Sequence, residues 1–223
     1  MVEIFKKRHN LLVVLLFIFL VALRLPILLA HKPVSLYELK WLLIGERMAS
    51  GFSLYDGIWT TLEPFSGGIY WLVNLISGRS FLILNVIALF LVFFQGIYLN
   101  RLMDKFRIIE KLGYLPTLVY FILTFLSIEY LTLSPPLMGS TFIIISFRYL
   151  FDMPAEKNAD AQIMYAGICI GIASLFYFPF MINIKSTFCN IVISNSKALS
   201  SSFVINAYQT IFTKYTYFYF ILN

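Results

Sequence analysis

Charge is what this chain has least of. Only 13% of its 223 residues are Asp, Glu, Lys or Arg, against ~25% in an ordinary soluble domain. So few charges cannot cover a water-facing surface, which excludes a soluble globular protein and leaves lipid as the neighbour of most of the surface. Acids are the scarcer sign, 11 against 17 Lys and Arg. The resulting net charge of +6 is no nucleic-acid footprint, because the basic residues are scattered between apolar runs. They read instead as loops that follow the positive-inside rule. Two His and two Cys, Cys169 and Cys189, are too sparse for a metal-ligand spacing, so neither metal nor cofactor is expected.

What is abundant is apolar and aromatic: 60% hydrophobic residues, with 23 Phe and 14 Tyr. These fall into long runs, and the sequence predicts an all-α, polytopic helical membrane protein with about five transmembrane helices. Lys6, Lys7 and Arg8 precede the first run, residues 11–30. That run is longer than a signal-peptide core and lacks a cleavage match, so it reads as an uncleaved span of ~30 Å. The basic head places the N-terminus in the cytoplasm of a multi-pass inner-membrane protein. Residues 31–79 then form an outer loop. Arg24 sits near the outer end of the first span, either as a cation for a lipid phosphate or acidic partner, or snorkelling to the headgroups. Pro26 should kink or end the helix.

Within the outer loop, residues 36–50 alternate apolar and polar positions as a helix lying in the interface, with Leu39, Leu42 and Leu43 on its apolar side and Trp41 as anchor. Gly51 ends it. Residues 52–68 read as a loop with an Asp56-Gly57 turn, and residues 69–77 as an apolar helix too short to span. The second span, 80–100, carries Asn85 and Gln95, residue types that hydrogen-bond between helices. A basic inner loop, 101–111, leads to a third span, 113–133, with Glu129 near its outer end. Ser134-Pro135-Pro136 reads as a capped turn into the fourth span, 136–151. The fifth, 162–182, holds Gly167 and Gly171 as a close-packing GxxxG. Residues 1–183 thus read as one transmembrane domain. Residues 184–223 contain no acid, and Ser, Asn, Thr and Lys interrupt every run. The tail reads as an out-of-frame terminus or a polar segment that contributes little to the fold.

The residues from Glu38 to Ser80 carry a resemblance. An acid follows the first span, then GERMASGFSLYDGIW, then EPFSGGIYWLVNLISGRS. This stretch, about a fifth of the chain, resembles the first extracytoplasmic loop of the GT-C class of membrane glycosyltransferases. Those have an acid after the first span, a surface helix, a G-x-x-LY-D stretch and a proline segment before a GRS-like opening of the next span. The chain departs from the pattern in having the single Glu38 rather than paired acids, and only Glu63-Pro64-Phe65 for the proline segment. The class is also usually longer. Over residues 1–180, FFQGIYLNRLMDKFRIIEKLGYLPTLVYFILT, SPPLMGSTF and GICIGIASLFYFP resemble a family of small uncharacterised polytopic membrane proteins of Bacteroidetes, which implies a membrane location.

The GT-C resemblance implies a polyprenyl-phosphate-linked sugar as substrate, so no phosphate loop is needed. Glu38 would be the base that deprotonates an acceptor hydroxyl, with Asp56 as a second, weaker candidate. Arg24, His31 and Lys32 would hold the phosphate leaving group. The plain alternative makes Glu38 and Lys40 the solvated side of an amphipathic helix and Asp56 a turn residue. The chain is then a non-enzymatic membrane accessory or assembly protein whose loop docks a partner. A transporter is disfavoured, because no charged pair sits mid-membrane and no inverted repeat is visible.

Overall fold

The computed structural model describes residues 10–30, 35–58, 60–106, 113–152 and 159–181. Among these every regular element is an α-helix: α1 Asn10–Ala30, α2 Leu36–Ala49, α3 Pro64–Ser77, α4 Phe81–Lys105, α5 Leu115–Leu126, α6 Ile128–Leu131, α7 Pro135–Asp152 and α8 Ala159–Phe176. The chain divides into two compact units, Met1–Phe178 and Pro179–Asn223, and all of these helices belong to the first. The expected tail, 184–223, lies outside the described residues.

Among the described residues, two helices are long and apolar enough to cross a membrane. They are α1, through Leu12–Leu29 with mean hydropathy 3.0, and α4, with 2.4 over Phe81–Lys105. The other three expected spans fall short of that measure. α7 has 18 residues but includes Pro135, Pro136, Arg148 and Asp152. The apolar part of α8 covers only residues 161–176. The expected span 113–133 is broken. α5 stops at Leu126, Ser127 is extended (φ −98°, ψ 115°), and α6 is a single turn before Thr132 extends again. Ser and Thr offer the backbone local alternatives to a helix. Pro26, by contrast, does not end α1, which continues to Ala30.

α4 is the helix on which most of the others assemble, packing against α1, α5, α6, α7 and α3, while α2 packs on α3 and α8 on α7 and α3. Its polar centre is Gln95, as the sequence predicts. The Gln95 Nε2 amide donates to the carbonyl of Leu137 (3.0 Å) and the hydroxyls of Ser140 (3.2 Å) and Thr141 (2.7 Å), while Tyr120 Oη donates to Gln95 Oε1 (2.6 Å). One buried side chain therefore ties α4 to both α5 and α7. Asn85 is buried too, but its Oδ1 has no partner among the described residues. Next to Gln95, a Cβ on Gly96 would stand 2.5 Å from Phe121 Cε1. Only glycine allows α5 this close, and Thr117 Oγ1 donates to the Gly96 carbonyl (3.1 Å).

The expected GxxxG face packs on nothing among the described residues: Gly167 and Gly171 are exposed, and a Cβ at either would meet none of them within 4 Å. α8 instead turns Ala166 and Ala173 inward. The anticipated cap of α7 is present: Leu137 N–H donates to Ser134 Oγ (3.3 Å), with Pro135 opening the helix.

Candidate functional site

The outer loop folds as a helical pair, α2 packed on α3. α2 starts where the sequence predicts. Ser35 is its N-cap, accepting from the Tyr37 N–H (3.2 Å). Gly51, with φ 94°, takes the left-handed backbone just beyond its end. The helix faces differ from expectation. Leu36 is 85% exposed and Leu43 41%, whereas Glu38 is 0% exposed and lies on the buried side with Leu42 and Gly45. Glu38 is therefore not on a solvated face. The buried stripe follows the 38, 42, 45 spacing, because Gly45 is the point of closest approach to α3: a Cβ there would sit 2.6 Å from the Tyr70 carbonyl oxygen.

α3 begins at Pro64 rather than at residue 69, with Glu63 as N-cap. Proline at the first helical position, with no N–H to lose, was the signal for this start. Tyr70 is the centre of the contact. Its ring stacks on Trp41 (5.8 Å between centroids, 9° between planes), and its hydroxyl donates to the Leu133 carbonyl (2.6 Å). Burial first, then the negative charges of Glu38 and Glu63, hold this phenol well above its ordinary 10.0. Two further bonds fix the start of α3. Ser66 Oγ donates to the Phe176 carbonyl (2.7 Å), and Glu63 accepts from the Phe178 N–H (2.9 Å).

Arg24 reaches the same region from α1. It does not snorkel. It is 2% exposed, donating from Nη2 to the Tyr130 carbonyl (2.6 Å) and from Nη1 to that of Leu131 (3.3 Å). These carbonyls end the single turn of α6 and have no onward helical partner. Arg24 thus acts as the cap of a broken helix, a role hidden in the sequence because the break at Ser127 was hidden. The segment from Tyr130 to Ser134 receives Arg24 from one side and Tyr70 from the other, and Leu131 to Ser134 are all buried.

Of the predicted site residues, the structure brings Glu38 beside Tyr70, and Arg24 onto the segment that Tyr70 also holds. Asp56 is elsewhere, exposed in the turn whose Gly57 N–H donates to the Ser53 carbonyl (3.0 Å). Tyr55, not Gly57, carries the positive φ of that turn (77°), and Tyr55 Oη donates to the Leu62 carbonyl (2.7 Å). His31 and Lys32 lie outside the described residues. No group of His, Cys, Asp and Glu among the described residues could hold a metal ion. No family model, no curated protein and no solved structure matches the chain.

Proposed function

We propose that this chain is a multi-pass protein of the cell inner membrane, N-terminus in the cytoplasm, with a GT-C-like outer face that serves, or once served, sugar transfer from a polyprenyl-phosphate donor. The observation that carries this reading is the inversion of α2. It encloses a carboxylate at position 38 while leaving Leu36 and Leu43 outward. Burying an acid is costly in a purely structural helix. Outward leucines suit a helix whose far side meets lipid rather than water. Apolar side chains exposed along α1 (Val14, Ile18, Leu25, Leu29), α4 (Phe90, Phe94) and α8 (Ile168, Leu175) support lipid on several sides of the bundle. On this reading α5 with α6, α7 and α8 cross the membrane in the company of α4.

Glu38 is then the base for the acceptor hydroxyl, and Arg24 with His31 and Lys32 supplies the positive field for the departing phosphate. Asp56, exposed in its turn, is the weaker candidate for the base. A second reading has its own support. Ser35-x-x-Glu38 is the spacing of a capping box, in which the acid serves the helix start, and the Arg24 guanidinium is committed to two main-chain carbonyls. Both groups then serve packing, and the chain is a non-enzymatic accessory or assembly protein.

Glu38→Gln separates the two, because it keeps size and hydrogen bonding but removes the base. In an enzyme, transfer of sugar to the surface glycan should fall ~100-fold or more while the protein accumulates normally in the membrane. Normal glycan with normal protein abundance would overturn the enzymatic reading.

A further inference from the structure

A groove of about 340 Å³ runs along α4 at the end of the bundle away from Glu38, lined by Phe94, Ile97 and Tyr98 on one side and Thr141, Ile144 and Ile145 on the other. Val13 of α1 also lines it, and its two longer walls are the same device used twice. Phe94, Ile97, Tyr98 and Arg101 follow the i, i+3, i+4, i+7 spacing of one α4 face. Thr141, Ile144, Ile145 and Arg148 repeat that spacing on α7. The helices run parallel and in register: Gln95 bonds Thr141 at one level, and Lys105 pairs with Asp152 at another (2.5 Å). Arg101 and Arg148 each precede a member of that ion pair by one turn. They therefore follow the two stripes at a similar depth, Arg101 in the lining of the groove and Arg148 one turn beyond it.

The arginines differ in what they already hold. Arg148 Nε lies 3.8 Å from Asp152 Oδ2, a carboxylate shared with Lys105, and the Arg148 side chain is 54% exposed. Arg101 is exposed and makes neither a hydrogen bond nor an ion pair with any described residue. It lines both the apolar groove and a neighbouring cavity of about 380 Å³ that contains Asn100, Asp104, Lys105 and Tyr114. The acid there, Asp104, accepts from Asn100 Nδ2 (3.1 Å).

We infer that this groove binds an anionic phospholipid, its acyl chain along Phe94–Tyr98 and Thr141–Ile145 and its phosphate between Arg101 and Arg148. The length agrees. From Arg101 to Phe94 the helical rise is ~10 Å, within one leaflet of a bilayer. The chemistry agrees too. An apolar groove takes a hydrocarbon chain, and an exposed guanidinium at its mouth takes a phosphate oxygen pair. This inference rests on the membrane location proposed above and not on any glycosyl transfer.

The test uses the full chain, purified in a mild detergent, incubated with mixed phosphatidylglycerol and phosphatidylcholine, and weighed with its retained lipid by native mass spectrometry. The wild type should retain phosphatidylglycerol in clear preference. Arg101→Gln should reduce that retention about fivefold, and the double change with Arg148→Gln further. Ile145→Trp, which fills the groove and leaves both charges, should reduce it as well. Glycerol phosphate, the headgroup chemistry without a chain, should not displace the lipid. Helical circular dichroism and a single gel-filtration peak qualify each variant. Equal retention of the two lipids, unchanged retention in a folded Arg101→Gln or Ile145→Trp protein, or displacement by glycerol phosphate would each overturn the proposal. Release of the protein from membranes by an alkaline wash would overturn the membrane location as well, whereas a membrane-bound protein without lipid preference sinks this inference alone.

Discussion

Both ends of the helix bundle carry an exposed ion pair, Glu46 with Arg79 (3.8 Å) beside α2 and α3 and Lys105 with Asp152 at the other end, but only the first also encloses charge. At the end that carries α2 and α3, Arg24 and Glu38 are enclosed, and Arg24 spends its donors on main-chain carbonyls. At the other end, Lys105, Asp152 and Arg148 meet one another with the cations half in solvent. Enclosed charge has no water to fall back on, so each partner removed leaves a group stranded. Exposed charge loses little when its partner goes. The first arrangement specifies a structure, and the second leaves cations available for something else.

The largest effect should come from Arg24→Met. It leaves the Tyr130 and Leu131 carbonyls without their donor at the end of α6 and should cost about 3 kcal/mol, read as a lower midpoint in detergent unfolding. An unchanged midpoint would mean that the carbonyls find water, and the contrast between the ends would dissolve. Tyr70→Phe should cost about 1 kcal/mol through the lost bond to the Leu133 carbonyl. It also sharpens the comparison through pH. Because the folded protein raises the Tyr70 phenol above 10.0, it binds that proton more tightly than the unfolded chain does. The stabilisation is fully present below pH 10 and is lost as pH rises beyond it. Tyr70→Phe should flatten this alkaline decline, and a variant that loses stability as steeply as the wild type would refute it. The smallest effect belongs to Lys105→Met, at most about 0.5 kcal/mol for a pair with one exposed partner. A midpoint shift as large as that of Arg24→Met would mean that this end is as enclosed as the other.

Much of the helical plan was legible. The start of α2 at residue 36 and its end at Gly51, the Ser134 cap of α7 and the Gln95 bridge were all legible, because each depends on local chemistry or on a polar group stranded in an apolar run. The break at Ser127 was not legible. FILTFLSIEYL is apolar apart from Thr124, Ser127, Glu129 and the Tyr130 hydroxyl, none of which marks a helix end, and it is a guanidinium arriving from α1 that stabilises the ruptured turn. The inward turn of Glu38 was hidden for a related reason. Amphipathic spacing identifies a helix face, but whether that face meets lipid, water or α3 depends on Gly45 and Tyr70, which lie 25 residues apart in sequence. The GxxxG misled because small residues permit close approach without requiring it.

Gln95 also sets an order of events during synthesis. α4 emerges from the ribosome before its amide has any partner, since Tyr120 lies in α5 and Ser140 and Thr141 in α7. With 12 residues, or ~18 Å, α5 is short, and it is held by its close contact with the Gly96 side of α4. The nascent chain therefore carries the Gln95 amide without these partners until α7 has been translated.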